Sequence, residues 1–251
     1  MLKANCVYAM FEKIILVTGG ASGLGLAITK RLAQDSSNFI YFTYNSSEKS
    51  AVELQESLKN TKGIHLDFRD EDAVDQFADR LFALNPDVLV NNGLTGFMQS
   101  HFHKLNASEF LSSFKFNVLP VIKITQSFIV LSRKRKSGRI VTILSSSIIN
   151  KPPIGWSEYC ANKSYLHMIS KSWATENRAF GIISNCISPS FMRTNLTKAI
   201  DERLIASYIE SNPNNSLLDE KEVADAVHFF VFASPQINGT NLLINAASDI
   251  I

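Results

Sequence analysis

Tyr159 and Lys163 lie four residues apart in the segment WSEYCANKSY, and Ser146 lies thirteen residues before the tyrosine. A carbonyl group that accepts a hydride becomes an alkoxide, which needs a proton in the same step. A free phenol, with a pKa of about 10, is a poor partner for that step near neutrality, but a neighbouring ammonium lowers the phenol pKa. Residues i and i+4 share one helix face, so Lys163 can reach Tyr159. The sequence therefore predicts a hydride-transfer site in which Tyr159 donates the proton and Ser146 hydrogen-bonds the substrate oxygen.

Three consecutive serines leave the position of this hydroxyl open by one residue. The segment ILSSSII follows an apolar run that predicts a strand, and Ser145, Ser146 and Ser147 all lie where that run ends. We take Ser146 as the candidate, and Ser145 and Ser147 remain alternatives.

A glycine-rich segment, TGGASGLG at residues 18–25, follows the first apolar run and precedes a helical pattern. Glycines permit a tight turn, and the free amides of a helix N-terminus attract phosphate. The position between strand and helix predicts that this turn binds the pyrophosphate of a dinucleotide.

Short apolar runs alternate with amphipathic stretches along the whole chain. This alternation predicts an α/β single-domain Rossmann fold over 1–251, a doubly wound seven-stranded parallel sheet with helices on both faces. Residues 189–219 are the least regular, and a loop of that length predicts a substrate lid. The predicted strands are Ile14–Thr18, Phe39–Thr43, Gly63–Leu66, Val88–Asn91, Arg139–Leu144, Ile182–Ile187 and Asn241–Asn245. The predicted helices lie near 24–34, 48–59, 70–84, 106–132, 158–180 and 220–233.

Composition argues against several other classes of protein. The net charge of +2 is too small to indicate a nucleic-acid or membrane-surface partner. Three scattered cysteines indicate neither a disulfide framework nor a zinc site, which favours a cytoplasmic location. His101 and His103 have no nearby carboxylate or cysteine cluster, so we expect no metal. Residues 1–9 fit neither a signal peptide nor a membrane span and are interpreted as a short extension.

These motifs together resemble the short-chain dehydrogenase/reductase family over nearly the whole chain. TGGASGLG resembles the family's TGxxxGxG fingerprint, and Asn91-Asn92-Gly93 resembles its NNAG segment. The segment from Pro189 to Thr194 resembles its PGxxxT segment, with Ser190 in place of glycine. The resemblance implies NAD(P)-dependent interconversion of a ketone and a secondary alcohol.

The resemblance also implies roles for individual residues. Asn117 matches the helix asparagine that supports the active-site water and lysine, which completes a catalytic set with Ser146, Tyr159 and Lys163. Asp67 matches the acid that contacts the adenine ring. The predicted cofactor-binding residues are Thr18, Gly19, Ser22, Gly23, Leu24, Gly25, Asn45, Ser46, Asp67, Asn91, Gly93, Tyr159, Lys163, Pro189 and Thr194.

The end of the second predicted strand bears on the choice between NADP and NAD. An acid there would bind both ribose hydroxyls of NAD and repel a 2′-phosphate. The chain instead has Asn45, Ser46 and Ser47, with Lys49 nearby, whereas Ser22 occupies a place where many NADP-using relatives have a basic residue. We expect NADP to be preferred, with NAD possible.

The substrate is less clearly indicated. Large apolar residues near the site suit an acyl chain or a hydrophobic ketone, although they could equally belong to the core or to a subunit interface: Ile148, Ile149, Ile154, Trp156, Phe191 and Met192. The basic run Arg133, Lys134, Arg135 and Lys136 ends a long helix and can simply complement its dipole. Alternatively, the run docks an acidic partner such as acyl carrier protein.

Two enzymatic hypotheses and one non-enzymatic hypothesis follow from the sequence. The first is a ketoreductase similar to 3-oxoacyl-(acyl-carrier-protein) reductases, and the second is an enzyme acting on a sugar or another secondary alcohol. The third is a nucleotide-binding sensor or scaffold without turnover. The helices near 106–132 and 158–180 resemble those that form four-helix interfaces in the family, so we expect a homodimer or homotetramer.

Overall fold

The computed structural model describes residues 11–96, 98–194, 202–248 and Ile250. Seven parallel strands form one sheet in the order β3-β2-β1-β4-β5-β6-β7. This confirms the predicted doubly wound Rossmann sheet. The strands are β1 (Lys13–Val17), β2 (Asn38–Tyr44), β3 (Thr61–His65), β4 (Val88–Asn91), β5 (Gly138–Ile143), β6 (Ile182–Pro189) and β7 (Asn241–Ile244).

The described residues contain eight α-helices. Six of these helices pack against the sheet through two apolar cores, one on each face of the sheet. The first core joins the sheet to α1, α2 and α8, and the second joins it to α3, α5 and α6. The helices are α1 (Gly23–Ala33), α2 (Glu48–Ser57), α3 (Glu71–Leu84), α4 (Ala107–Asn117), α5 (Leu119–Arg135), α6 (Ser157–Asn177), α7 (Glu202–Ser211) and α8 (Glu220–Phe232).

Alternation along β1 shows why the strands are apolar throughout. Ile15 and Val17 belong to the first core, whereas Ile14 and Leu16 belong to the second. Because successive side chains of a strand point to opposite faces, a strand covered on both faces needs apolar residues at every position. Because all seven strands are parallel, their carboxyl ends lie at one edge of the sheet. The predicted site residues lie at this edge, because they come at or after the ends of the strands.

The predicted helix near 106–132 is two helices in the structure. α4 ends at Asn117, and α5 begins at Leu119 with Pro120 in its first turn. Proline lacks an N–H group, so it fits a helix start and disrupts a helix interior. Taken together, Ala107–Arg135 is long and apolar enough to cross a membrane, but core helices pass the same test and the stretch contributes buried Val121, Ile124 and Phe128.

The predicted lid at 189–219 contains one helix that the sequence reading missed, α7. Residues 195–201 of the lid lie outside the described part of the chain, as do residues 1–9 of the predicted N-terminal extension. Ile205, Tyr208 and Ile209 of α7 recur at helical spacing, and Ile205 packs in a third apolar cluster with Trp156 and Tyr159.

Candidate active site

A cleft of about 600 Å³ opens at the carboxyl edge of the sheet. It collects residues that follow β1 to β6, although they are distant in sequence. Most of the predicted site residues line it, namely Gly19, Ser22, Gly23, Leu24, Gly25, Asn45, Ser46, Asp67, Gly93, Ser146, Tyr159, Lys163, Pro189 and Thr194. Three predicted residues do not line it: Thr18, Asn91 and Asn117.

The glycine-rich turn fits the pyrophosphate of a dinucleotide. A Cβ atom on Gly25 would lie 1.9 Å from the carbonyl oxygen of Gly19, so no side chain fits there. Gly19 has φ +65° and Gly23 has φ +48°, a conformation that favours glycine. α1 begins at Gly23, and its first three residues line the cleft. The first amides of a helix have no partner within the helix, so these amides can bind an anion.

Thr18 is the first residue of this turn and joins it to the loop after β4, whereas Asn91 is bonded to α5. Thr18 Oγ1 accepts hydrogen bonds from the amides of Asn92 (3.0 Å) and Gly93 (2.9 Å), and thereby ties β1 to the loop after β4. Asn91 is buried, and its Nδ2 donates to Thr125 Oγ1 at 3.1 Å. Neither residue lines the cleft, and the predicted contact of both with the cofactor remains a prediction.

Tyr159 lines the cleft and is buried. Burial raises the pKa of Tyr159 to about 12, and a hydrogen bond with the Ser145 side chain opposes that rise only in part. The sequence predicted a lowered pKa for this phenol, because Lys163 was expected to dominate. In the structure this pKa shifts in the opposite direction, because burial of the phenol is the largest influence on it.

The hydroxyl bonded to Tyr159 belongs to Ser145, one residue before the predicted Ser146. Ser145 is still extended, with φ −163°, and it caps a 3-10 helix over Ser146–Ile148. Ser145 Oγ also lies 2.8 Å from Ser147 Oγ. Ser146 lines the cleft as the first residue of the 3-10 helix. The end of β5 thus decides which of the three serines bonds Tyr159, and the sequence did not define that end to within one residue.

Lys163 is buried one helical turn after Tyr159. Its Nζ donates to the carbonyl oxygen of Ile143 at 2.8 Å and lies 5.8 Å from the centre of the Tyr159 ring. Burial lowers the pKa of Lys163 to about 8. The predicted shared face of Tyr159 and Lys163 on one helix is therefore present, and the ammonium is fixed at the end of β5.

Asn117 fixes the loop that follows β4. Its Oδ1 accepts from the amide and the hydroxyl of Thr95, both at 2.8 Å, and its Nδ2 donates to Gly96 O at 3.1 Å. Thr95 and Gly96 line the cleft. The side chain of Asn117 thus holds one wall of the cleft, and the water and lysine contacts predicted from the family remain a prediction.

The far end of the cleft is polar and carries a cation that the sequence reading missed. Asn45, Ser46, Ser47 and Asp67 line this end, together with Arg69, whose Nη2 donates to Thr95 O at 3.3 Å. Arg69 comes two residues after Asp67 at the end of β3. Its position after a strand end was the available signal.

The opposite end of the cleft is apolar and aromatic. Phe191 and Tyr208 stack there, with ring centres 4.8 Å apart and planes 9° apart, and Trp156 meets Tyr159 edge to face at 5.5 Å. Met192 also lines the cleft, whereas Ile148, Ile149 and Ile154 do not. Tyr208 was missed because α7 was not predicted, and Lys151 adds a cation to the rim.

The basic run lies at the edge of the sheet opposite to the cleft. Arg135 donates to Pro86 O at 2.8 Å and pairs with Asp87 at 3.4 Å, just before β4 begins. Arg133 packs over the Phe180 ring at 4.3 Å. Three of the four cations therefore contact neighbouring elements, because Lys134 also lies over the Phe82 ring of α3 at 5.3 Å, while Lys136 is exposed. Docking of a carrier protein on the run remains a prediction.

Comparisons with known proteins agree with this geometry. The profile of the short chain dehydrogenase family matches residues 13–204. The 3-oxoacyl-(acyl-carrier-protein) reductase FabG of Vibrio harveyi is 29% identical over 242 residues, which cover 93% of this chain and 96% of that protein. The protein of the same name from Escherichia coli K12 is 29% identical over 238 residues, with 93% and 96% covered.

A solved structure shares the fold. A short chain dehydrogenase from Burkholderia cenocepacia J2315, crystallised in complex with NADP, superimposes with a TM-score of 0.83 at 28% identity. The match covers 95% of this chain and 98% of that one. The similarity thus extends beyond the nucleotide-binding strands to the helix that carries Tyr159 and Lys163.

Proposed function

Because the chain belongs to the short-chain dehydrogenase family and is an NAD(P)-dependent oxidoreductase, we propose that it reduces the ketone of a 3-oxoacyl thioester with NADPH. The observation that carries this proposal is the position of Tyr159, bonded to Ser145, in one cleft between polar residues and aromatic residues. A neutral phenol is the protonation state that reduction of a ketone requires.

The chemistry needs one hydride and one proton for each carbonyl group. When bound, NADPH supplies the hydride from its nicotinamide ring to the carbonyl carbon. Ser145 and Tyr159 donate hydrogen bonds to the carbonyl oxygen, which gains negative charge as the carbon is reduced. Tyr159 then transfers its proton to that oxygen and gives the secondary alcohol. The Lys163 ammonium stabilises the phenolate that remains, at the position fixed by Ile143.

The apolar end of the cleft supports the acyl substrate. Trp156, Phe191, Met192 and Tyr208 enclose the space beside Tyr159. Apolar and aromatic walls bind an acyl chain favourably, whereas the hydroxyls of a sugar would lose their hydrogen bonds to water there. The curated relatives named above carry the name of an acyl-carrier-protein reductase, which supports an acyl carrier protein as partner and a role in fatty acid biosynthesis.

The polar end of the cleft supports NADP as the preferred cofactor. Asn45, Ser46 and Ser47 line it with an amide and hydroxyls that can donate hydrogen bonds to a 2′-phosphate. Arg69 adds a cation, and Asp67 is the one acid among the described residues that line the cleft. NAD lacks this phosphate, so we propose that it binds less tightly.

We further propose a cytoplasmic homodimer or homotetramer with a lid formed by residues 189–219. Exposed apolar side chains on neighbouring helices α4 and α6 support the assembly: Leu111 is 71% exposed, Met168 is 64% exposed and Tyr165 is 44% exposed. Phe229 and Phe232 on α8 offer a second exposed apolar face. The lid is supported by Phe191 and Tyr208, which reach the cleft from either side of residues 195–201.

The proposal is tested with an acetoacetyl thioester as substrate. The oxidation of NADPH and of NADH is measured by the loss of their absorbance. We expect turnover with NADPH in the wild-type protein and a loss of about 10³-fold or more in Tyr159→Phe, with NADPH binding retained. Turnover with a sugar ketone but not with the thioester would overturn the substrate class. Equal turnover in Tyr159→Phe would overturn the assignment of the proton donor.

A further inference from the structure

A second face of α6 lies next to the one that carries the catalytic pair. Glu158 directly precedes Tyr159, and Asn162 directly precedes Lys163, so Glu158 and Asn162 are also four residues apart. Residues at this spacing lie one above the other on a helix. The contacts of Asn162 show that this face turns towards α4.

Ser113 of α4 joins the catalytic helix to the wall of the cleft. Asn162 Nδ2 donates to Ser113 Oγ at 2.8 Å, and Asn117 Nδ2 donates to the same oxygen at 3.3 Å. A hydroxyl oxygen has two acceptor sites, so both are used here. Asn117 in turn holds Thr95 and Gly96. One continuous series of hydrogen bonds therefore runs from the cleft wall to the residue before Lys163.

Glu158 adds a weaker arm to this series. The side chain is only 5% exposed, and its carboxylate oxygens lie 3.5 Å from the Met98 amide and 3.5 Å from Asn162 Nδ2. These distances are at the outer limit for hydrogen bonds, so Ser113 makes the stronger link. Met98 lies just beyond the loop that lines the cleft, so this arm also connects α6 to that wall.

We propose that Ser113 and Asn162 are positioning residues for hydride transfer, a role that rests on the proposed reductase function. Neither side chain lines the cleft, so both act through the elements that they join, α4 and α6. The Ser113–Asn162 bond sets the position of Thr95 and Gly96 relative to Tyr159 and Lys163. Because a displacement of about 1 Å between reacting groups can cost about 10²-fold in rate, this bond contributes to kcat.

A double-mutant cycle with matched controls tests the proposal. We expect Ser113→Ala and Asn162→Ala each to lower kcat about tenfold, and the double variant to lose no more than either, because both remove the same bond. Dissociation constants for NADPH should stay within about twofold of the wild-type value. Ser113→Thr, which keeps the hydroxyl, should restore most of kcat. The controls Ser112→Ala, directly before Ser113, and Ser164→Ala, two residues after Asn162, change exposed serines and should leave kcat unchanged.

Hydrogen exchange provides a readout that does not depend on turnover. In Ser113→Ala, the amide of Thr95, which donates to Asn117 Oδ1, should exchange faster than in wild type and in Ser112→Ala, because Asn117 loses one of the partners that hold its side chain. Unchanged exchange together with unchanged kcat would overturn the positioning role, as would losses that multiply in the double variant. An inactive wild-type protein with the expected exchange pattern would count against the proposed reaction and not against the link. Size-exclusion chromatography of each variant separates these effects from a change of assembly.

Discussion

The ammonium of Lys163 donates a 2.8 Å hydrogen bond to the carbonyl oxygen of Ile143, the last residue of β5. This bond fixes the charge beside Tyr159, but it does not replace the water that the ammonium has lost. Burial accordingly lowers the pKa of Lys163 to about 8, well within the working range of most enzymes. The catalytic pair thus consists of a phenol that stays protonated and a lysine that titrates near neutrality.

The first prediction concerns the pH dependence of reduction. Below pH 8 Lys163 carries its charge, and above pH 8 it loses it, so kcat/KM should fall by about tenfold per pH unit on the alkaline side. Tyr159, with its raised pKa, remains a proton donor throughout this range. The measurement is kcat/KM for the ketone between pH 6 and 10 at saturating NADPH. Lys163→Arg keeps a charge at all these pH values, so its kcat/KM should be lower than that of the wild type but should not fall on the alkaline side. A flat wild-type profile up to pH 10 would contradict the assignment.

The second prediction separates two adjacent serines. Ser145→Ala removes the hydroxyl bonded to Tyr159 and should lower kcat by about 10²-fold or more, the usual loss for a group that stabilises the oxyanion. Ser146→Ala is the matched control, because it makes the same change one residue later in the 3-10 helix. We expect Ser146→Ala to stay within about threefold of wild type in steady-state assays. The reverse pattern would restore the role that the spacing predicted for Ser146.

The third prediction addresses cofactor choice at the end of β2. Asn45→Asp places a carboxylate in the polar end of the cleft, where it repels a 2′-phosphate and can bind ribose hydroxyls. We expect kcat/KM for NADPH to fall about tenfold, while that for NADH changes by less than about threefold. Asn214→Asp makes the same change at an exposed residue of the loop before α8 and serves as control. Equal losses with both cofactors would argue against a phosphate site at Asn45.

The fold was largely predictable because its determinants are local. Ile14 to Val17 are buried on both faces of the sheet, and such continuous apolar runs leave a clear pattern in the sequence. The break between α4 and α5 had a signal in Pro120 that a periodic apolar pattern obscured. α7 was missed because the prolines and asparagines around it indicate loops, although Ile205, Tyr208 and Ile209 have helical spacing.

The site was predictable in its members but not in its details. Tyr159, Lys163 and the glycine-rich turn have characteristic spacings, so they could be placed in one cleft before the structure was known. The choice of Ser145 over Ser146 depends on the exact end of β5, and the direction of the Tyr159 pKa depends on burial. Neither quantity is encoded in a short motif, because both result from packing between distant elements.

The fourth prediction concerns assembly through α4 and α6. Leu111→Asp introduces a charge on the most exposed apolar side chain of α4, and burial of that charge in an interface would be costly. We expect the variant to sediment as a smaller species than wild type in analytical ultracentrifugation. Val52→Asp on α2, which is also exposed and apolar, is the control and should keep the wild-type mass. An unchanged mass in Leu111→Asp would place the subunit interface elsewhere.

The fifth prediction arises from an acid beside the glycine-rich turn. A Cβ atom on Gly23 would lie 3.8 Å from Oε1 of Glu220, at the start of α8. A carboxylate so close to the turn repels the pyrophosphate that we expect to bind there, so Glu220→Gln should lower the dissociation constant of NADPH about three- to tenfold. The gain should shrink in high salt, which screens the repulsion. Titration of NADPH by fluorescence measures the effect, with Glu56→Gln on α2 as a control that removes the same charge elsewhere. Adenosine 2′-monophosphate lacks the pyrophosphate and should bind both proteins equally. If Glu220→Gln weakens NADPH binding instead, the carboxylate contributes to the site through a hydrogen bond that outweighs its charge.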